Sequence, residues 1–309
     1  MLNSEKCAKL TPEPIRNLEP GPVQTSPISF NSHSYEELVK EWDDDLGYGD
    51  YAETCRAAFT RSPGQADVFL KNGFERFQLL APRKIESLLS IIKKAETDPR
   101  TFDDRGEGLG VIYLTRPEIV RTVLGTILNA TVDQKMTAFF KSEYRVLWFS
   151  VQKVASHEAE NVSFKWHKDL GPSRHLKLIL YLSDTAETGG RTDFIDRTTT
   201  QKLRHAGYDF VEVGQRASDL HPFAAQSGID LTVHDDPFTA GEAVIFQPPE
   251  VLHRGVMPTL APRYTITLCL APHTESWMTW LECLPPMIFQ DETASAWERD
   301  CPWLPQFES

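Results

Sequence analysis

The sequence predicts a mainly β chain with helical decoration, an antiparallel double sheet or jelly roll carrying helices on one face. Three observations point there. Segments of helical period all fall before about residue 141. From Tyr144 onward, short runs rich in β-branched and aromatic residues follow one another between turn signals. No long helical stretch separates those runs, which argues against parallel βαβ winding and for antiparallel pairing.

Residues 1 to about 33 are polar and proline-rich (Pro12, Pro14, Pro20, Pro22, Pro27) and read as a flexible arm ahead of a single domain over 34–309. Ser34 to Asp45 reads as a short acidic helix, with Ser34 and Glu37 spaced as a capping box. The stretch around Phe74 and Phe77 alternates like a strand. Ile85, Leu88, Leu89 and Ile92 recur at helical spacing behind Pro82. Pro117 to about Lys141 reads as one amphipathic helix. The strand-like runs cover residues 144–154, 162–169, 176–184, 191–197, 230–235, 242–247 and 263–271, which puts a jelly-roll core at about 144–272. Residues 198–232 are too long for an ordinary connection. They are either a lid, with Gly207, Gly214 and Gly228 as hinges, or a fixed insert. The tail from 277 to 309 is rich in Trp and Pro and wraps the surface or covers an interface.

Composition excludes several classes. Hydrophobic residues make up 40% of the chain, enough for a sizeable core, yet no run of about 18 apolar residues occurs. The start of the sequence lacks an apolar leader core, so the expected location is cytoplasmic. The formal net charge is −12, which disfavours nucleic acid as a partner. The five cysteines are far apart and form no CxxC pair, so structural zinc is not expected. The oligomeric state stays open, with a homodimer among the options.

The chemistry concentrates in two segments. His167 and Asp169 are two apart in a run read as a strand, so imidazole and carboxylate share one face. Downstream, His253 follows an apolar strand and a Pro-Pro turn. A second imidazole would complete a two-histidine, one-carboxylate facial set with open coordination positions, which suits iron(II). Arg263 opens the next strand ten residues after His253 and shares a face with Thr265, a guanidinium and hydroxyl suited to a carboxylate. In the run at 176–181, Leu178 and Leu180 face one way and Lys177, Ile179 and Tyr181 the other. A lysine on a cavity face needs an anion; the alternative is that it snorkels at a strand edge. His234 and Asp236 form a second HxD pair, and the Pro237 that follows marks a strand end instead of a ligand site.

Together, His167, Asp169, His253 and Arg263 resemble the iron(II)/2-oxoglutarate-dependent dioxygenase superfamily, over roughly residues 70–272. Tyr181 with the following Gly-Gly turn resembles the prolyl-hydroxylase branch, and a phytanoyl-CoA-hydroxylase-like placement stays open. The resemblance implies a double-stranded β-helix. His167, Asp169 and His253 would hold Fe(II). Arg263 would take the far carboxylate of the co-substrate 2-oxoglutarate, helped by Tyr181 and by Thr265 or Lys177, with O2 as oxidant. It also implies that Arg174 contacts substrate, and that the retained Asp169 carboxylate excludes halogenation. The expected reaction is hydroxylation, desaturation, epoxidation or ring closure on a small organic metabolite, such as a carboxylate, an amino-acid-like compound or a natural-product intermediate. The alternatives are a protein side-chain hydroxylase and a metal-free jelly-roll binding module.

Overall fold

Alternation along a strand decides which side chains meet the helices and which meet the site. In the computed structural model, which describes residues 37, 39–40, 43–44, 47–158, 162–209 and 213–282, the elements run in chain order as follows. They are α1 (Tyr48–Ala57), α2 (Asp67–Asn72), β1 (Phe74–Gln78), α3 (Pro82–Glu96), β2 (Phe102–Asp104), β3 (Leu109–Ile112), α4 (Pro117–Ile127), α5 (Ala130–Phe140), β4 (Glu143–Val154), β5 (Leu176–Tyr181), α6 (Thr185–Thr188), β6 (Thr192–Phe194), α7 (Arg197–His205), α8 (His221–Gln226), β7 (Glu242–Phe246), β8 (His253–Gly255), β9 (Arg263–His273) and α9 (Trp277–Glu282). The expected arm over 1–33, the Ser34 cap and the tail beyond residue 282 lie outside the described residues.

Seven strands form one sheet in the order β1-β7-β5-β9-β4-β3-β2, and β6 pairs with β8 in a second. Every pairing is antiparallel. Single bridges at His167–His253 and Phe194–His234 widen the small sheet to four extended segments. Phe194 of the small sheet stacks on Phe74 of the large one at 5.1 Å and meets Phe246 edge-on, so the two sheets close over a shared aromatic layer. This is the jelly roll, or double-stranded β-helix, that the sequence predicts.

The main core lies on the other side of the large sheet. Leu176, Leu178 and Leu180 of β5 and Ile266, Leu268 and Leu270 of β9 pack with Ile85, Leu88 and Ile92 of α3 and Val120, Val123 and Leu124 of α4. Each such side chain contributes about 1.5–3 kcal/mol by leaving water. The odd positions of β5 consequently point away from the helices, as the alternation predicts. β4 does the same through an irregularity. Its register with β9 shifts between Val146 and Trp148. The extra residue flips the parity, so Tyr144 and Val146 before it and Phe149 and Val151 after it all reach the helical core. Trp148, Gln152 and Val154 are left facing the cavity.

Three sequence expectations are corrected. Residues 162–169 do not form a strand: Val162–Phe164 is a 3-10 turn, and His167 pairs through one isolated bridge. Residues 230–235 likewise pair only at His234, because Pro237 has no N–H with which to continue a ladder. The single helix over 117–141 is two helices. Leu128 leaves helical geometry with ψ 77°, and the Asn129 side chain accepts from the N–H groups of Thr131 and Val132, capping a fresh helix. Asn129→Ala should therefore destabilise the fold by about 1 kcal/mol. An unchanged urea midpoint in that variant would show that the cap carries no stability.

Residues 198–209 and 213–232 pack against the rest of the fold. Leu203, Tyr208, Leu220 and Ala224 pack with Trp166, Ile195 and Leu252. The Tyr208 hydroxyl donates to the Trp166 carbonyl at 3.0 Å and accepts from the Ala217 N–H at 2.9 Å. Opening of this segment would expose that apolar cluster. Among the described residues no helix is long and apolar enough to cross a membrane. Cys55 and Cys269 are buried free thiols, and the other three cysteines lie outside the described residues.

Candidate active site

His253 opens β8, and the backbones of His167 and His253 exchange hydrogen bonds at 3.0 and 2.9 Å. That bridge sets the two rings 4.4 Å apart, centroid to centroid. The Asp169 N–H donates to the Pro248 carbonyl at 3.1 Å, which brings its carboxylate up to the same pair. Asp169 Oδ1 lies 3.4 Å from His167 Nε2, and Oδ2 lies 3.2 Å from His253 Nε2. The ligand atoms of the three residues all fall within 4.8 Å of one another. The set that the sequence singles out thus converges, although no regular strand carries His167 and Asp169.

The donor chemistry fits a divalent cation. His167 Nδ1 faces the Lys165 carbonyl at 2.7 Å, and His253 Nδ1 faces the Val251 carbonyl at 3.1 Å. A carbonyl only accepts, so each Nδ1 carries a proton, which leaves Nε2 as the ligand atom of each ring. Burial, only partly offset by the Asp169 charge, keeps the His253 imidazole below its ordinary value and hence neutral. Asp169 is mostly buried, which by itself would raise its pKa. The Lys177 ammonium outweighs that and holds the carboxyl well below the usual range. Two imidazole Nε2 atoms and an ionised carboxylate therefore converge on one point. Asp169 Oδ2 lies 2.9 Å from Lys177 Nζ as an ion pair, but off the direction of a hydrogen bond, and accepts none. A metal ion at this point would satisfy all three groups.

A cavity of about 180 Å³ opens beside them, lined among others by Trp148, Gln152, Lys177, Thr192, Phe246, Arg263 and Thr265. Arg263 is 8% exposed. Its Nη1 donates to the carbonyls of Arg191 and Val256 at 2.8 and 3.3 Å, while its buried Nε has no partner. Among the described residues no carboxylate pairs with it. A buried guanidinium met only by neutral carbonyls is costly and calls for an anion.

The remaining predicted residues fall as follows. Thr265 lines the cavity next to Arg263. Tyr181 is fully buried and stacks on Phe238 at 4.1 Å, and its hydroxyl donates to Thr192 Oγ1 at 2.8 Å. Tyr181 therefore reaches the cavity through Thr192, which sequence reasoning did not single out although it follows the Gly189-Gly190 turn. Lys177 lines the cavity but already faces the Asp169 carboxylate, so it is not the spare cation expected for a second anion. Arg174 lies elsewhere. It lines a separate cleft with Arg56, Lys141 and Arg197, and its carbonyl accepts from the Tyr48 hydroxyl at 2.6 Å. The reason is local: Arg174 precedes β5, where the chain is still tied to α1. His234 packs edge-on against Phe74 and is not part of the metal-ligand group.

His175 is buried and donates from Nδ1 to the Pro172 carbonyl at 2.7 Å. Burial pushes its pKa down to about 4, below the ordinary value of 6.5. The unfolded chain therefore takes up this proton first as the pH falls. The stability of the neutral buried ring is complete above about pH 6.5, declines as pH falls toward 4, and totals about 3 kcal/mol. His175→Gln should flatten the fall of the urea midpoint between pH 7 and 4.5. The same slope in both proteins would refute the assignment.

No protein-family model matches the chain, and neither does any curated protein. Among solved structures the chain is similar to HygX from Streptomyces hygroscopicus with nickel, 2-oxoglutarate and hygromycin B bound (15% identity, 68% of this chain and 87% of that one, TM-score 0.43). It is similar to EctD from S. alaskensis with 2-oxoglutarate and 5-hydroxyectoine (12%, 68% and 77%, TM-score 0.47). It is also similar to the non-heme alpha ketoglutarate dependent epimerase SnoN from nogalamycin biosynthesis (12%, 80% and 97%, TM-score 0.44). The ligand set is assigned from this chain's own residues. Two antiparallel sheets with a His-Asp-His set and a buried arginine between them are the features by which this chain resembles the iron(II)/2-oxoglutarate dioxygenase superfamily.

Proposed function

We propose that the chain is an iron(II)- and 2-oxoglutarate-dependent oxygenase acting on a small organic molecule. One observation carries the reading. A converging His167–Asp169–His253 set and a buried arginine with no carboxylate partner among the described residues share one cavity. The first suits a divalent metal, and the second suits the far carboxylate of a dicarboxylic co-substrate.

When bound, iron supplies oxygen activation coupled to decarboxylation of 2-oxoglutarate. The chain's own residues do the rest. His167 and His253 would hold the metal through Nε2, since backbone carbonyls face their Nδ1 atoms. Lys177 keeps Asp169 ionised and oriented. Arg263, with the Thr265 hydroxyl beside it, would grip and orient the co-substrate. Trp148 and Phe246 give the cavity apolar walls and limit water near the reacting groups. Walls of buried side chains from both sheets favour a small molecule over a side chain presented by another protein.

The test is direct. Purified protein given Fe(II), 2-oxoglutarate and air should form succinate, and omission of the metal should stop it. Absence of both succinate formation and 2-oxoglutarate binding would leave only the metal-free binding-module reading.

A further inference from the structure

Apart from the two histidines, four charged side chains among the described residues line this cavity: Asp169, Lys177, Arg263 and Glu107. Asp169 faces Lys177, and Arg263 is matched to the co-substrate in the reading just given, on which this inference rests. Glu107 is left over. The neighbouring cation, Arg105, turns to Asp103 at 3.1 Å and to the Tyr113 hydroxyl at 2.8 Å. Among the described residues Glu107 has no ion pair and accepts no hydrogen bond.

Its position is built. Glu107 stands between Gly106 and Gly108 in the turn from β2 to β3, with φ 49°, a left-handed backbone that few side chains other than Asn and Asp adopt. The turn is closed by the Arg105 N–H donating to Leu109 O at 2.9 Å and by the Gly106 N–H donating to Asp104 Oδ1 at 3.0 Å. It is fastened to the end of β4, where the Ala155 N–H donates to Gly108 O at 2.8 Å. A Cβ on Gly108 would sit 2.3 Å from the Ala155 carbonyl oxygen, so only glycine allows this approach. The backbone of Glu107 is thus held beside β4, and its exposed side chain lines the cavity at the turn. Phe164 lines the same cavity, and an aromatic face with a carboxylate suits an organic cation; the Trp148 ring shows the same preference, with Lys177 Nζ 5.3 Å from its centroid.

We propose that Glu107 receives a cationic group of the substrate, and that the substrate is a small molecule bearing an ammonium group. Calorimetry on the full chain loaded with Co(II) and 2-oxoglutarate tests this without turnover. The probes are n-butylammonium, n-butanol and butyrate, which match in size and differ in charge. The wild type should bind butylammonium at least tenfold more tightly than either of the others. Glu107→Gln should erase that preference while leaving the Co(II) and 2-oxoglutarate titrations unchanged, and Glu107→Lys should turn it toward butyrate. Equal binding of butylammonium and butanol by the wild type, or a preference that survives in Glu107→Gln, would overturn the inference and leave the proposed oxygenase function intact. Failure of the preceding Co(II) or 2-oxoglutarate titration would instead overturn that function, and this inference with it.

Discussion

His253→Ala is expected to lose metal binding and, with it, all succinate formation, while the protein stays folded. The ring supplies one of three converging ligand atoms, and its loss leaves one imidazole and one carboxylate. Removing a group that merely orients a ligand costs about 10–100-fold in affinity, so removing the ligand itself should exceed about 100-fold. Co(II) titration by calorimetry gives the number, and near-ultraviolet circular dichroism checks the fold. His234→Ala is the matched control, because His234 belongs to the rival HxD pair and stands outside the cluster. Its metal affinity should equal that of the wild type. The reverse pattern, with metal lost from the His234 variant and kept by the His253 variant, would move the site to the second pair.

Arg263→Ala should weaken 2-oxoglutarate by about two to three orders of magnitude. Removing one partner of a buried charged pair costs about 3–5 kcal/mol, and each decade of affinity is about 1.4 kcal/mol. The large figure is warranted by burial: Arg263 is 8% exposed, and its Nε has no partner of its own. Thr265→Val removes only a hydroxyl and should cost far less, on the order of 1 kcal/mol. Both variants should bind Co(II) as the wild type does, since neither is a ligand. An unchanged 2-oxoglutarate affinity in Arg263→Ala would remove the arginine from the co-substrate site.

The alternation of Leu178 and Leu180 with Lys177, Ile179 and Tyr181 was legible because a strand's side chains must alternate, and burying one face settles which set meets the helices. The ligand set was legible for a chemical reason: two imidazoles, a carboxylate and a following arginine form an uncommon combination of residue types at fixed spacing. The break at Asn129 was also open to a sequence reading, since asparagine is a strong N-cap, but the unbroken apolar period across 117–141 masked it.

Other features depend on contacts between segments remote in sequence. Residues 162–169 have strand composition, yet a strand needs a continuous partner, and His253 offers one bridge. The parity flip at Val146–Trp148 follows from pairing with β9, and it turns Trp148 and Gln152 toward the cavity. Lys177 has an anion because the fold brings Asp169 to it, and Arg174 falls outside the cavity because α1 holds its backbone. Glu107 gave no signal as one charge in an exposed turn; it joins the site only because β3 pairs with β4. The sequence by itself determined the mainly β class, the face each leucine of β5 presents, and the residue types available to bind metal and carboxylate. Only the tertiary structure decided which charges are already paired and which still call for a ligand, because pairing depends on distance in space, and local periodicity carries no information about it.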